Sequence, residues 1–234
     1  MNKKVAIVTG ASRGIGKAIA ELFAKEGMDV VINSRDESRI RRSALEILKT
    51  TGSFVTPIQA DVRNHSDIER LVQITLNQFG KIDILVNNAG IAVVKPLVET
   101  TDHEFDRVFD TNLKGVFYCC KAVLPHMIVQ KSGHIINISS GAGKAGFADL
   151  SIYCASKFGV IGLTESLAKE VSRHGIKVIA ICPGAVATQM QRDFMNEEEY
   201  ERSKKHMIQP HTVAEKVLEA VKGRFASGSS VDVC

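Results

Sequence analysis

A doubly wound α/β fold, one parallel sheet with helices on both faces, follows from three features of this 234-residue chain. Short, nearly all-apolar β-rich runs alternate with longer helical patterns. A glycine-rich turn joins the first run to the first helix. No repeat, low-complexity tract or Pro/Gly-rich linker divides the chain, so a single domain over 1–234 is expected. Wholly apolar runs suit parallel strands covered on both faces, and the alternation suits right-handed crossovers.

The elements can be justified in order. The strand Val5–Val8 ends at Thr9-Gly10 and the helix Ile15–Lys25 follows. Val30–Ile32 is β-branched and precedes the helix Ser38–Thr50, for which Asp36 is an N-cap with Arg39 three residues on. Phe54–Ile58 and Ile84–Val86 flank the helix Asp67–Gln78. Asp102–Val129 reads as one long helix, followed by the strand Ile135–Ile138 and the helix Ile152–Ser172. Val178–Ile181, Val213–Val221 and Val231–Val233 close the chain as strand, helix and strand. Gln189–Pro210 breaks the pattern with the charged run Asn196–Lys205. It leaves the carboxyl end of a strand, where such sheets bind ligands. It is expected to be a mobile substrate lid; the alternative is a solvated surface helix.

Composition excludes some classes. A net charge of +4 over 234 residues is too small to argue for nucleic acid. No apolar run is long enough to span a bilayer, and the first strand begins too early to leave room for a signal peptide. The five cysteines lack metal-ligand spacing and read as core residues in a reducing cytoplasm, so no metal is expected.

Two constellations carry chemistry. In the turn Thr9–Gly16, Gly10 permits a tight bend, Gly14 lets a ligand approach the backbone, and Gly16 lets the helix pack on the sheet. A pyrophosphate would rest at the helix N-terminus. After the second strand come Ser34 and Arg35, with no carboxylate at the strand end. Arg35 and Arg13 suit the 2′-phosphate of NADP(H); Asp36 is a competing candidate for a ribose hydroxyl. The second constellation is Tyr153 and Lys157, which share a helix face at i, i+4, with Ser140 13 residues before Tyr153. An ammonium beside a phenol lowers its pKa, and a serine hydroxyl can hold a carbonyl oxygen while the tyrosine delivers a proton. Tyr200 and Lys204 repeat the spacing inside the charged run and read as solvated surface.

Together these motifs resemble the short-chain dehydrogenase/reductase family over about Lys4 to Val221. The resemblance rests on Thr9–Gly16, Asp61-Val62, Asn87-Asn88-Ala89-Gly90, Asn112, Ser140, the Tyr153/Lys157 pair, and Pro183-Gly184 with Thr188. It implies a Rossmann-type sheet and hydride transfer between NADP(H) and a small-molecule carbonyl or alcohol. Asn112, Ser140, Tyr153 and Lys157 would be catalytic, Asn112 holding a water that links Lys157 to solvent. Gly10, Ser12, Arg13, Gly14, Ile15, Gly16, Arg35, Asp61, Val62, Asn88, Gly90, Tyr153, Lys157, Pro183, Gly184, Val186 and Thr188 would bind the cofactor. Within that set, Asp61 would meet the adenine amino group, Asn88 the adenosine ribose, and Val186 and Thr188 the carboxamide. Asn87 would tie strands together. No nucleic-acid or membrane partner is implied, and a homodimer or homotetramer is expected. The N-terminal half resembles carrier-protein-linked 3-oxoacyl reductases, for which Lys131 and Arg173 would be a docking patch or ordinary helix-end cations. Many relatives end in Val-Asp-Gly-Gly, where this sequence reads Ser230-Val-Asp-Val-Cys234. A nucleotide-sugar epimerase or dehydratase and a cofactor-sensing, non-catalytic relative are the rivals.

Overall fold

The computed structural model describes residues 3–234. Among these residues seven strands, β1 (Val5–Val8), β2 (Asp29–Ser34), β3 (Val55–Gln59), β4 (Ile84–Asn87), β5 (Gly133–Ile138), β6 (Ile176–Pro183) and β7 (Ser230–Val233), form one sheet. Their order is β3-β2-β1-β4-β5-β6-β7 and every pairing is parallel. The order reverses direction between β1 and β4, which opens a crevice at their carboxyl ends.

Strand alternation explains why the runs are apolar throughout. Ala6 and Val8 of β1, Val30 and Ile32 of β2, and Ile136 and Ile138 of β5 join one core layer. Their neighbours Ile7, Val31 and Ile135 join the other. The first layer is covered by α1 (Gly14–Lys25), α2 (Glu37–Thr51) and α9 (Pro210–Val221). The second is covered by α3 (His65–Phe79), α5 (Gly115–Gln130) and α6 (Ser151–Val171). Phe23 at the centre of the first layer is fully buried, worth roughly 1.5–3 kcal/mol over an exposed position. No helix among the described residues is long and apolar enough to cross a membrane.

Three expectations change. The long helix is not continuous: α4 (Asp102–Phe109) passes through a π segment, Asp110–Lys114, into α5. Phe54 lies outside β3 and is exposed, because Gly52 ends α2 in a left-handed turn and the chain enters the sheet only at Val55. The charged segment is two short helices, α7 (Gln189–Arg192) and α8 (Glu197–Lys204).

Candidate active site

A cleft of about 420 Å³ runs along the carboxyl edge of the sheet. Gly10, Ser12, Arg13, Gly14 and Ile15 border its middle, Arg35, Asp61 and Val62 one end, and Tyr153, Lys157 and Thr188 the other.

The glycine turn is shaped by what surrounds it. Gly10 has φ +65°, and a Cβ there would sit 2.7 Å from the Ala89 Cα. Thr9 Oγ1 accepts from the N–H groups of Asn88 (3.0 Å) and Ala89 (3.1 Å). Asn88 Nδ2 donates back to the carbonyls of Thr9 (2.9 Å) and Gly10 (3.1 Å). The Asn88 side chain therefore braces the turn from the cleft wall, although sequence reasoning gave it to a ribose. Gly16 is buried, and a Cβ there would run into that amide and, at 2.7 Å, into the Gly10 carbonyl. The N-terminus of α1 has no side-chain cap and no acid in its first turn. Its N–H groups and dipole are left for an anion. Asn33, which motif reasoning passed over, accepts from Gly10 N (3.3 Å) and donates to the Ala60 carbonyl (2.6 Å). The signal was an asparagine directly after the apolar run Val30–Ile32.

At the β2 end, Ser34, Arg35, Asp36 and Arg39 line the cleft. Asp36 is the N-cap of α2, accepting from Arg39 N (3.0 Å) and Ser38 Oγ (2.7 Å) and pairing with Arg39 Nε (3.1 Å). The Arg39 main-chain bond, then Ser38, hold its carboxyl below the usual range. Asp61 is engaged as well: Arg63 Nη2 donates to it at 2.6 Å, and its pKa is lowered first by that bond. Val62 is buried against Gly115, where a Cβ would come within 2.9 Å of Val62 Cγ2.

At the other end, α6 brings Tyr153 and Lys157 together. Lys157 is 5% exposed, its Nζ donates to the Ile138 carbonyl (2.8 Å), and it lies 5.7 Å from the centroid of the Tyr153 ring. Burial lowers the lysine to about 8. Burial raises the Tyr153 phenol, and the Ser140 side chain opposes this. The Lys157 ammonium is directed to the Ile138 carbonyl and lies over the Tyr153 ring. Ser140 stands in extended backbone, its Oγ accepting from Ala142 N (3.1 Å). Ser139 is buried, and its Oγ donates to the Lys157 carbonyl (3.0 Å). Ser139 lines the cleft but its hydroxyl is spent on that carbonyl, whereas Ser140 stands beside the lining with its side chain toward Tyr153.

Asn112 lies in the π segment and is buried. Its Oδ1 accepts from Ile91 N (2.9 Å), and its Nδ2 donates to the Ile91 carbonyl (2.9 Å) and Ser156 Oγ (3.0 Å). Both amide hydrogens are committed, so a water could be held only through oxygen. A Cβ on Gly90 would lie 3.4 Å from Asn112 Oδ1 and 3.6 Å from Lys157 Nζ. Glycine there keeps the space between the two groups open.

At the end of β6, Pro183 pairs with Val233, and Gly184 N donates to the Val233 carbonyl (3.1 Å). Val186 belongs to the apolar core, so only main-chain contact is left to it. Thr188 reaches the glycine turn: a Cβ on Gly14 would meet Thr188 Cγ2 at 3.3 Å. Gly16, Asn112, Ser140, Pro183, Gly184 and Val186 stand behind or beside the cleft lining rather than in it. Asn87 ties β4 to β5, its Nδ2 donating to Asn137 Oδ1 at 2.9 Å. The reading of Tyr200 as solvated is corrected: it is 6% exposed, with the Arg192 guanidinium 5.3 Å and the Lys204 ammonium 5.8 Å from the ring centroid. The flanking cations cover the ring, so charged neighbours conceal a buried aromatic.

A parallel sheet with a glycine-turn crevice and a Tyr–Lys pair at one end of that crevice defines a dinucleotide-dependent oxidoreductase class. The model of that class described as short chain dehydrogenase matches residues 4–199, and the chain belongs to this family. It is 44% identical over 190 residues to a 3-oxoacyl-acyl-carrier-protein reductase of Synechocystis, covering 81% of this chain and 77% of that one. A Staphylococcus aureus protein of the same name is 43% identical over 187 residues, covering 80% and 76%. Among solved structures, an actinorhodin polyketide ketoreductase crystallised with NADPH superposes with TM-score 0.93 at 35% identity, covering 99% and 96%. Levodione reductase gives TM-score 0.93 at 31% identity, covering 98% and 95%.

Proposed function

We propose that this protein is an NADP(H)-dependent oxidoreductase acting between a carbonyl and a secondary alcohol. The observation that carries the reading is the Tyr153–Lys157 pair, a half-buried phenol and a buried ammonium on one helix face at the end of a cleft floored by an uncapped helix N-terminus. The residues fit the cofactor: a side chain on Gly10 or Gly16 would collide with the Asn88–Ala89 wall, and α1 leaves its N–H groups to a pyrophosphate. Arg13, Ser34 and Arg35 all line the cleft, and Asp36 is committed as a helix cap. The nicotinamide, when bound, supplies or takes the hydride. Ser140 and Tyr153 hold the substrate oxygen, and Tyr153 delivers or removes its proton. Lys157 places a cation beneath the ring and replenishes the proton through a water held by an Asn112 oxygen. The test is consumption of NADPH with a panel of ketones, diketones and 3-oxoacyl thioesters. Flat traces throughout, with NADPH binding intact, would leave a non-catalytic cofactor sensor.

A second reading, a 3-oxoacyl substrate carried on an acidic protein, draws on the names of the relatives and on one corner of the fold. A Cβ on Gly175 would come 2.5 Å from the Lys131 carbonyl, which brings Lys131 and the Arg173 turn side by side. Neither side chain forms an ion pair among the described residues. Charge reversal at both should raise KM for the carrier-bound substrate and leave that for a small thioester unchanged. Exposed Phe105, Phe117 and Phe158 on α4, α5 and α6 support helix-to-helix subunit packing as a dimer or tetramer, which sedimentation would measure. Five free cysteines, four of them buried, suit a reducing cytoplasm.

A further inference from the structure

Arg63 enters none of the motifs above, yet it determines what Asp61 can do. Its main-chain N–H donates to Asp61 Oδ1 at 3.0 Å. Its Nε is shared between Oδ1 and Oδ2 at 3.1 Å each, and its Nη2 donates to Oδ2 at 2.6 Å. A carboxylate offers about four acceptor positions, and one neighbour fills three of them. The pair sits on a wall between two spaces. On one side Asp61 lines the cleft, beside Ala60 and Val62. On the other, Arg63 and the far edge of Asp61 border an open cavity with Asn64, His65 and Asp110. The side chains are 36% and 25% exposed, so the ion pair is screened and adds little to fold stability. Its consequence is geometric. A fork held at both oxygens prevents the carboxylate from rotating about its last bond.

We propose that Arg63 is a positioning residue for base recognition: it locks Asp61 with a single acceptor direction toward the cleft, selecting a 6-amino purine over a 6-oxo purine. This rests on the reading of the cleft as an adenine-dinucleotide site. A 6-amino group donates to the remaining acceptor position. A 6-oxo group places a carbonyl oxygen against the carboxylate, and its only remedy is for Asp61 to pivot toward the neighbouring N1–H. The Arg63 fork blocks that pivot. Without Arg63 the carboxylate turns, accepts from N1–H, and discrimination is lost.

The experiment compares NADPH with its hypoxanthine analogue in wild-type protein, Arg63→Ala and Arg63→Lys, by kcat/KM and by Kd from quenching of reduced-nicotinamide fluorescence. Wild type should favour NADPH by about tenfold or more, the worth of one hydrogen bond to a charged group. Arg63→Ala should bring the two within about threefold. Arg63→Lys should fall between, because an ammonium holds one oxygen without the fork. Reduced nicotinamide mononucleotide, which lacks the base, should serve wild type and Arg63→Ala equally; a general structural defect would lower that rate too. A wild type that does not discriminate, or an Arg63→Ala that discriminates as wild type does, overturns the proposal. If neither dinucleotide turns over, the proposed reaction fails, and the Kd ratio still judges Arg63 alone. Absence of binding by either dinucleotide overturns both.

Discussion

Replacing Lys157 with Met should make the protein more stable while abolishing turnover. Lys157 is 5% exposed and among the described residues keeps one hydrogen-bond partner, the Ile138 carbonyl at 2.8 Å. Burial takes its pKa from 10.5 to about 8, a charge-burial cost of about 3 kcal/mol at neutral pH. Methionine has similar length and no charge, so it removes that cost but leaves the Ile138 carbonyl without a donor, a loss of about 1 kcal/mol. The net gain is about 2 kcal/mol, or roughly 4–8 °C in Tm for a chain of this size. The pH dependence has a definite sign. Between about pH 8 and pH 10 the unfolded lysine holds its proton and the folded one has lost it. The unfolded state then binds more protons, so wild-type stability rises with pH across that window relative to the variant. Urea unfolding of both proteins at several pH values, with equal m-values, measures the gap. The reasoning fails if Lys157→Met unfolds at lower urea than wild type at neutral pH, or if the gap stays constant across the window.

Tyr153→Phe should fold and bind NADPH but lose ~100- to 10,000-fold in kcat, whereas Tyr200→Phe should stay within a few-fold; steady-state rates and cofactor titration check both. Ser34→Asp with Arg35→Ala should turn preference from NADPH toward NADH, since each charge-assisted bond to the 2′-phosphate is worth roughly 1.5–3 kcal/mol; a wild-type kcat/KM higher with NADH contradicts the assignment. If Gln189–Pro210 is a lid, its amides should exchange rapidly in the free protein and slow with cofactor and substrate, and Phe194→Ala should change KM more than Tm. Exchange that is slow throughout, or a loss of several kcal/mol in Phe194→Ala as for a core Phe, would make the segment structural.

The sheet was legible because its strands are buried on both faces, so each apolar run announces itself without a partner. The glycine turn and the Tyr153/Lys157 pair were legible because local spacing carries their geometry. What stayed hidden depended on contacts between distant residues. Asp102–Lys114 has helical periodicity whether or not its hydrogen bonds slip to π, so the break at Asp110 leaves no mark in composition. The burial of Tyr200 comes from Arg192 and Lys204 folding over it, which a charged run disguises. Asn88 and Asp61 were assigned to ligand by motif, and only their partners, the Thr9–Gly10 carbonyls and Arg63, show how much of each is already spoken for. The direction Lys157 points likewise depended on where β5 ends.

The π segment makes helical content and catalytic competence separable in this protein. A π turn holds one residue more than an α turn would. Deleting a single residue from Asp110–Lys114 would let α4 run into α5 as an ordinary helix, with almost no change in far-ultraviolet circular dichroism. Everything on the amino-terminal side would turn by about 100°. Val108 would leave its fully buried position, and the span between Ile91 and Ser156 that Asn112 bridges could not be kept in phase with both. The surplus residue thus acts as a shim that sets rotational phase, and a spectrum that counts helix would report an intact molecule whose active site had come out of alignment.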